Sequence, residues 1–131
     1  MKPDSIQEYI LSQFEQNKNI FITGKAGSGK SFIVRKMVEY DKNVVVTSTT
    51  GISALNINGQ TLHSWCGITP LTDLDNVDEF VINILNNHKK LNDWLNVNTL
   101  IVDEVSMLES SLLDFLNIAA QKIRESDLNY N

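Results

Sequence analysis

The chain has 131 residues, 42% hydrophobic and 21% charged, a composition that allows one folded domain and excludes a wholly disordered chain. Its formal net charge of −5 disfavours a small cationic module that holds nucleic acid by bulk charge. No apolar stretch approaches the roughly 20 residues that span a bilayer, and no targeting signal is present, so we expect no membrane partner.

The chain begins with a predicted helix and a short predicted strand. Ser5 and Glu8 have the S-x-x-E spacing of a capping box. The helix that they start carries one apolar face, formed by Ile6, Ile10 and Phe14. The apolar run Asn19 to Thr23, which Gly24 ends, is typical of a buried strand.

After a glycine-rich turn, the pattern changes to helical spacing and then back to strand. A helix is predicted from Lys30, with an apolar face formed by Ile33, Met37 and Tyr40. The β-branched runs Val44 to Ser48 and Thr99 to Asp103 predict two more strands. Between these runs, Gly51 to Gly67 is predicted as mixed loop and short helix.

Two amphipathic helices are predicted in the second half of the chain. The apolar face of the first consists of Val77, Phe80, Val81, Ile84 and Leu85. His88, Lys89 and Lys90 are interpreted as the solvated end of a helix, and Trp94 is expected to pack before the third strand. The stripe of the last helix consists of Leu112, Leu116, Ala119 and Ile123. Strands that alternate with helices predict an α/β fold with a parallel sheet.

A phosphate-binding loop is the strongest motif. Residues 24–31 match G-x-x-x-x-G-K-[ST] in full. Glycines allow the backbone to turn so that successive N–H groups point at phosphate oxygens. Lys30 is then expected to reach the β- and γ-phosphates, and the Ser31 hydroxyl to ligate Mg²⁺. The predicted ATP-binding residues are Gly24, Lys25, Ala26, Gly27, Ser28, Gly29, Lys30 and Ser31.

A pair of acids follows the third predicted strand. Asp103 and Glu104 end the apolar run that begins at Leu100, which places them at the carboxyl edge of the sheet, where ligands of α/β proteins bind. Asp103 is expected to hold Mg²⁺, and Glu104 to orient and deprotonate the attacking water. No N-K-x-D motif is present, which disfavours a small GTPase, and the adjacent glutamate favours an ATPase.

Three segments together resemble motifs I, Ia and II of superfamily-one DNA helicases. They are FITGKAGSGKS, TSTTGISALNINGQTLHSWCGI and TLIVDEVSMLESSLLDFLNIA. The second contains T-G-x-x-A-x-x-x-x-G-x-T-x-H-S, which is far more restrictive than a phosphate loop. The most similar branch is the Pif-one-like (petite integration frequency) family, with similarity to RecD as well. The resemblance covers Gln7 to Ile123.

The resemblance implies a P-loop, RecA-like three-layer α/β/α domain with a parallel sheet of about three strands. It also implies an ATP-driven motor that unwinds DNA 5′ to 3′, with roles in DNA repair, recombination and telomere maintenance. Thr50, Gly51, Thr61 and His63 lie where the family approaches single-stranded DNA. Trp65 stands where the family usually has phenylalanine, and an aromatic side chain there could stack on a base.

Several of these residues have a second interpretation. Gln7 lies where the family keeps an adenine-reading glutamine, but it is also compatible with a solvated helix position. His63 could bond only its own loop, and Trp65 could belong to the core. Cys66 is expected to be a small buried apolar residue. As the single cysteine it cannot form an internal disulfide, so we expect an intracellular, reducing setting: cytoplasm, nucleus or virus.

Nothing in the chain matches the later motifs of the resembled family, its arginine motifs or its second RecA-like domain. We therefore expect residues 1–131 to be the N-terminal part of a RecA-like helicase ATPase domain, with a missing C-terminal motor domain as partner. Two alternatives remain: a non-catalytic nucleotide-binding remnant, and an AAA-type ATPase or loader. The segment 49–64 favours the helicase, because a loader has no reason to carry it.

Overall fold

Two compact units make up the chain, residues 1–44 and 45–131, and each is considered separately. The structure is a computed structural model that describes residues 3–18, 20, 29–56 and 59–126. Within these ranges the chain forms seven α-helices, three strands and one 3₁₀ turn. Every helix in the described ranges is too short or too polar to cross a membrane.

The N-terminal unit contains helices α1 (Ser5–Glu15) and α2 (Lys30–Tyr40). Asp4 caps α1: its Oδ1 accepts from the Gln7 amide at 2.8 Å, and Gln7 Oε1 accepts from the Asp4 amide at 2.9 Å. The predicted capping box Ser5–Glu8 is therefore wrong by one position. Asp4 and Gln7 offer the same reciprocal pair of hydrogen bonds one residue earlier.

The buried side chains of α1 and α2 are a subset of those in the predicted apolar faces. Phe14, Ile33 and Met37 are buried, as predicted. The Phe14 ring packs edge-on against Tyr40, with a centroid distance of 5.6 Å. Ile6 is 71% exposed, so the predicted face of α1 is buried only in part. The predicted strand 19–23 lies outside the described residues, apart from Ile20.

A three-stranded parallel sheet organises the C-terminal unit. The elements are β1 (Val44–Ser48), α3 (Gly51–Asn56), β2 (Gln60–Thr61), α4 (Leu62–Cys66), α5 (Val77–Leu85), α6 (His88–Asn96), β3 (Thr99–Asp103), a 3₁₀ turn (Val105–Met107) and α7 (Ser110–Ser126). The strand order is β2–β1–β3, and Ser48 pairs with Thr61. The predicted bounds of β1 and β3 are confirmed. β2 was not predicted, because two residues give no alternating pattern.

Aromatic rings form the centre of the core in this unit. The Trp65 and Trp94 centroids are 5.3 Å apart, and Phe80 packs edge-on against both Trp94 and Phe115. The inner stripe of α7 is confirmed, since all four predicted residues are buried: Leu112, Leu116, Ala119 and Ile123. Helices α5, α6 and α7 pack on one another, and Val45, Leu100 and Val102 of the sheet pack against the same core.

A helix break separates α5 from α6. Asn87 caps α6, because its side-chain oxygen accepts a hydrogen bond from the Lys90 amide at 3.1 Å. His88, Lys89 and Lys90 therefore form the first turn of a helix, in which His88 and Lys89 are exposed and Lys90 is half-buried. The side-chain cap of Asn87 satisfies one of the free amides of the new helix, and this stabilises a start at this point.

Candidate functional site

The end of the phosphate loop lies at the start of α2. Gly29 has a left-handed backbone (φ 94°) and directly precedes Lys30 and Ser31, the first residues of the helix. The free amides of a helix start, and its partial positive charge, favour an anion at this point. The backbone angle favours glycine, and a Cβ atom on residue 29 would lie 2.5 Å from Gln7 Nε2 and displace that side chain. The predicted residues Gly24, Lys25, Ala26, Gly27 and Ser28 lie outside the described residues.

Gln7 connects α1 to this loop. Its Nε2 donates to the Gly29 carbonyl oxygen at 3.4 Å, while its Oε1 accepts from the Asp4 amide. A glutamine amide has two donor hydrogens and two acceptor lone pairs, so one donor and one acceptor are left. An adenine edge requires one donor and one acceptor from such a side chain. The adenine-reading role remains a prediction that this geometry permits.

The two acids lie at the end of β3, in the C-terminal unit. Asp103 is half-buried and Glu104 is exposed. Neither carboxylate has a hydrogen-bond or ion-pair partner among the described residues, and unpartnered carboxylate oxygens are suitable ligands for Mg²⁺. Lys30 and Ser31 belong to the N-terminal unit.

Glu104 has an unusual backbone conformation. Its φ of 57° and ψ of 46° lie in the left-handed region, which costs a residue with a side chain roughly 1–2 kcal/mol. Thr49, which follows β1, contacts this segment twice. Its amide donates to the Asp103 carbonyl oxygen at 3.3 Å, and its hydroxyl donates to the Glu104 carbonyl oxygen at 2.8 Å. No local sequence pattern predicts these contacts of Thr49, because they join residues 54 and 55 positions apart.

Four of the predicted DNA-contacting residues lie near the same edge of the sheet. Thr50 and Gly51 follow β1, whereas Thr61 ends β2 and is followed in α4 by His63. Because β1 and β2 are parallel, their carboxyl ends meet at one edge. Gly51 and His63 are exposed, and the two threonine hydroxyls accept hydrogen bonds from backbone amides that begin α3 and α4.

Trp65, the fifth of these residues, lies in the core. Its side chain is 3% exposed and packs against Trp94, a placement that favours the core interpretation over stacking on a base. The adjacent Cys66 is fully buried, as predicted. Burial raises the pKa of the Cys66 thiol from 9.0 to about 12, against a smaller opposing effect of the Lys90 charge. The thiol therefore stays protonated at neutral pH and is a poor nucleophile.

The family of the chain follows from its sequence. The profile of the PIF1-like helicases matches residues 4–130. The chain belongs to this family. It is 41% identical over 126 residues to "ATP-dependent DNA helicase PIF1" of Saccharomyces cerevisiae, covering 92% of this chain and 14% of that protein. Membership of the PIF1-like family favours the helicase over the AAA-type loader.

Crystal structures of PIF1-like helicases share the fold. Pif1 helicase from Candida albicans superposes with a TM-score of 0.83 at 36% identity, over 95% of this chain and 29% of that one. Bacteroides Pif1 in complex with ADP-AlF3 and ssDNA gives a TM-score of 0.77 at 34% identity, over 97% and 29%. The P-loop, RecA-like α/β fold class is confirmed. The chain therefore spans less than a third of the length of these relatives.

The segment that carries Thr61 and His63 is also hydrogen-bonded to α6, through the carbonyl oxygens at the C-terminal end of α4. Lys90 Nζ donates to the carbonyl oxygens of Ser64 and Trp65, at 2.8 and 2.9 Å. Trp94 Nε1 donates to the Cys66 carbonyl oxygen at 3.1 Å. These carbonyl oxygens lie at the C-terminal end of the short helix α4, where the helix itself offers them no amide partner. The sequence interpretation treated Lys90 as solvated and missed this contact.

Replacing Lys90 with alanine should destabilise the chain by about 1–3 kcal/mol, because two helix-end carbonyls lose a charged donor. Urea unfolding measures this change as a lower free energy of unfolding. Lys89→Ala is the matched control, since Lys89 is exposed on the same helix turn. Equal free energies of unfolding for the two variants would show that the contacts of Lys90 contribute nothing.

Proposed function

We propose that this chain supplies the ATP-binding part of an ATP-dependent DNA helicase that moves 5′ to 3′ along single-stranded DNA. The observation that carries the proposal is the edge of the sheet where β1, β2 and β3 end. Motif Ia residues and the acids of motif II lie at this edge within one unit, hydrogen-bonded through Thr49. Family membership supports the same activity, and so do relatives with the name of ATP-dependent DNA helicase.

ATP is the proposed nucleotide, with its phosphates at the start of α2. Lys30 is the proposed charge partner of the β- and γ-phosphates, and the backbone of residues 24–29 is the proposed cradle. Gln7 retains one donor and one acceptor for the adenine edge. Gln7 also donates a hydrogen bond to the Gly29 carbonyl oxygen. A movement of Gln7 on adenine binding would therefore also move the end of the phosphate loop.

Ser31 and Asp103 are the proposed Mg²⁺ ligands, because hydroxyl and carboxylate oxygens are the hard donors that this cation prefers. Bound there, Mg²⁺ would offset the charge of the β- and γ-phosphates. Glu104 is the proposed general base. Its carboxylate would orient the attacking water and accept its proton as the oxygen attacks the γ-phosphorus.

Single-stranded DNA is the proposed partner of the edge formed by Thr50, Gly51, Thr61 and His63. Short polar side chains and an open glycine allow a sugar–phosphate backbone to approach closely, and His63 is exposed beside them. Bacteroides Pif1, a structural relative, has been crystallised with ssDNA. Because Trp65 is buried, we propose that it stabilises this surface from within the core and does not contact DNA.

Unwinding is proposed for the whole helicase, by which we mean this chain together with a second motor domain. Two domains that close and open around ATP convert hydrolysis into steps along a strand. The family supports a role in DNA repair, recombination or telomere maintenance. A reducing, intracellular compartment is supported by the buried free thiol of Cys66.

ATP hydrolysis with and without single-stranded DNA tests the proposal. In the whole helicase, oligothymidylate should raise the hydrolysis rate, and its affinity should fall as salt rises. The 131-residue chain by itself should bind MgATP weakly and hydrolyse little, because it contains no arginine-finger motif. Binding without hydrolysis in the whole helicase would instead identify a non-catalytic nucleotide-binding module, and movement 3′ to 5′ would contradict the polarity.

A further inference from the structure

Thr49 lies between the two groups of functional residues but belongs to neither. It precedes Thr50 and Gly51, which are proposed to meet DNA. It also donates both of its hydrogen bonds to the backbone of Asp103 and Glu104. A single residue therefore connects the end of β1 to the turn that carries the proposed general base.

The conformation of Glu104 makes this connection important. A left-handed backbone in a residue with a side chain persists only when surrounding contacts hold it. The carbonyl oxygen of Glu104 is held by the Thr49 hydroxyl at 2.8 Å, which fixes the plane of the peptide that follows. Without that bond, the peptide after Glu104 can rotate about the Cα–C bond, and one of the two Thr49 contacts that hold the left-handed conformation is lost. Rotation of the backbone at Glu104 would redirect its Cα–Cβ bond and move its carboxylate.

We propose that Thr49 is a positioning residue that holds Glu104 in the orientation for hydrolysis and couples it to the DNA-facing end of β1. The inference rests on the proposed function, because it assigns Thr49 a part in DNA-stimulated hydrolysis. Thr49 directly precedes Thr50 and Gly51, so a displacement of these two residues by DNA would reach Glu104 through the hydrogen bond of the Thr49 hydroxyl.

Thr47 supplies a matched comparison within the same strand. Its hydroxyl donates to the Ile101 carbonyl oxygen at 2.8 Å, a bond of the same kind and length that joins β1 to β3. Thr47 is fully buried, and the acceptor lies two residues before Asp103. Loss of this bond should cost stability without altering the peptide that follows Glu104. If both threonine hydroxyls serve only the stability of the fold, the removal of either one should change kcat to the same extent.

The experiment compares Thr49→Val, Thr49→Ser and Thr47→Val in the whole helicase at saturating MgATP and oligothymidylate. Thr49→Val should lower kcat by about 10- to 100-fold, because a misplaced catalytic group loses its alignment. The KM for ATP and the DNA affinity should stay close to wild type. Thr49→Ser, which keeps the hydroxyl, and Thr47→Val should both retain kcat, even if Thr47→Val melts at a lower temperature.

Equal losses of kcat in Thr49→Val and Thr47→Val would overturn the proposal, as would a Thr49→Val variant with unchanged kcat. A second measurement separates this inference from the proposed function. In the 131-residue chain, the strong intraresidue HN–Hα NOE of a left-handed Glu104 should weaken in Thr49→Val and persist in Thr49→Ser and Thr47→Val. If this NOE responds as expected while the wild-type helicase shows no DNA-stimulated hydrolysis, the proposed function fails and the positioning by Thr49 stands. An NOE that is unaffected by Thr49→Val removes the positioning role itself.

Discussion

Replacing Glu104 with glutamine is expected to leave MgATP binding unchanged and to slow hydrolysis in the whole helicase by about 10²–10⁴-fold. Glutamine keeps the size and hydrogen-bonding reach of glutamate but cannot accept the proton of the attacking water. The carboxylate is exposed and has no partner in the described part of the chain, so its removal should not unfold the protein. Calorimetric titration measures the binding, and phosphate release measures the turnover.

Glu109→Gln is the control for this variant. Glu109 is exposed, and its backbone carbonyl accepts hydrogen bonds from the amides of Leu112 and Leu113, which glutamine preserves. The control should hydrolyse ATP at the wild-type rate. Survival of hydrolysis in Glu104→Gln would remove Glu104 as the base, and a loss of binding would assign it to the nucleotide site instead.

Replacing Lys30 with alanine is expected to weaken MgATP binding to the 131-residue chain by at least about 30-fold, or about 2 kcal/mol. The reason is the loss of the ammonium group that follows Gly29 and faces the phosphates in the proposed complex. Lys30 is the first residue of α2, where alanine is also a good helix former, so the helix should persist. Calorimetry with MgATP measures the affinity, and circular dichroism checks the fold.

Lys42→Ala removes the same charge from an exposed turn beyond α2 and serves as the control. A general electrostatic attraction of ATP to lysine side chains near α2 predicts similar losses for both variants. A specific phosphate contact predicts a loss only for Lys30→Ala. Unchanged affinity in Lys30→Ala would therefore refute the nucleotide site.

Local patterns predicted the elements and the family. The phosphate-loop spacing at residues 24–31, the acids after an apolar run and the helical stripe of α7 each depend on neighbours within a few turns of chain. For the same reason, the bounds of β1 and β3 could be predicted without a structure. The break between α5 and α6 was missed, because Asn86 and Asn87 suit both a solvated helix and a cap.

The sequence by itself determined that this chain is an α/β protein of the PIF1-like family with the residues for an ATP site, because spacing and side-chain chemistry are local properties. Tertiary structure alone decided which backbone carbonyls the polar side chains contact. Thr49 and Glu104 are 55 residues apart, Lys90 and Ser64 are 26 apart, and Gln7 and Gly29 are 22 apart. Many polar side chains could donate to a carbonyl, so only the pairing of strands and the packing of helices selects the one that does. The same packing placed Trp65 in the core, where sequence alone left both of its roles open.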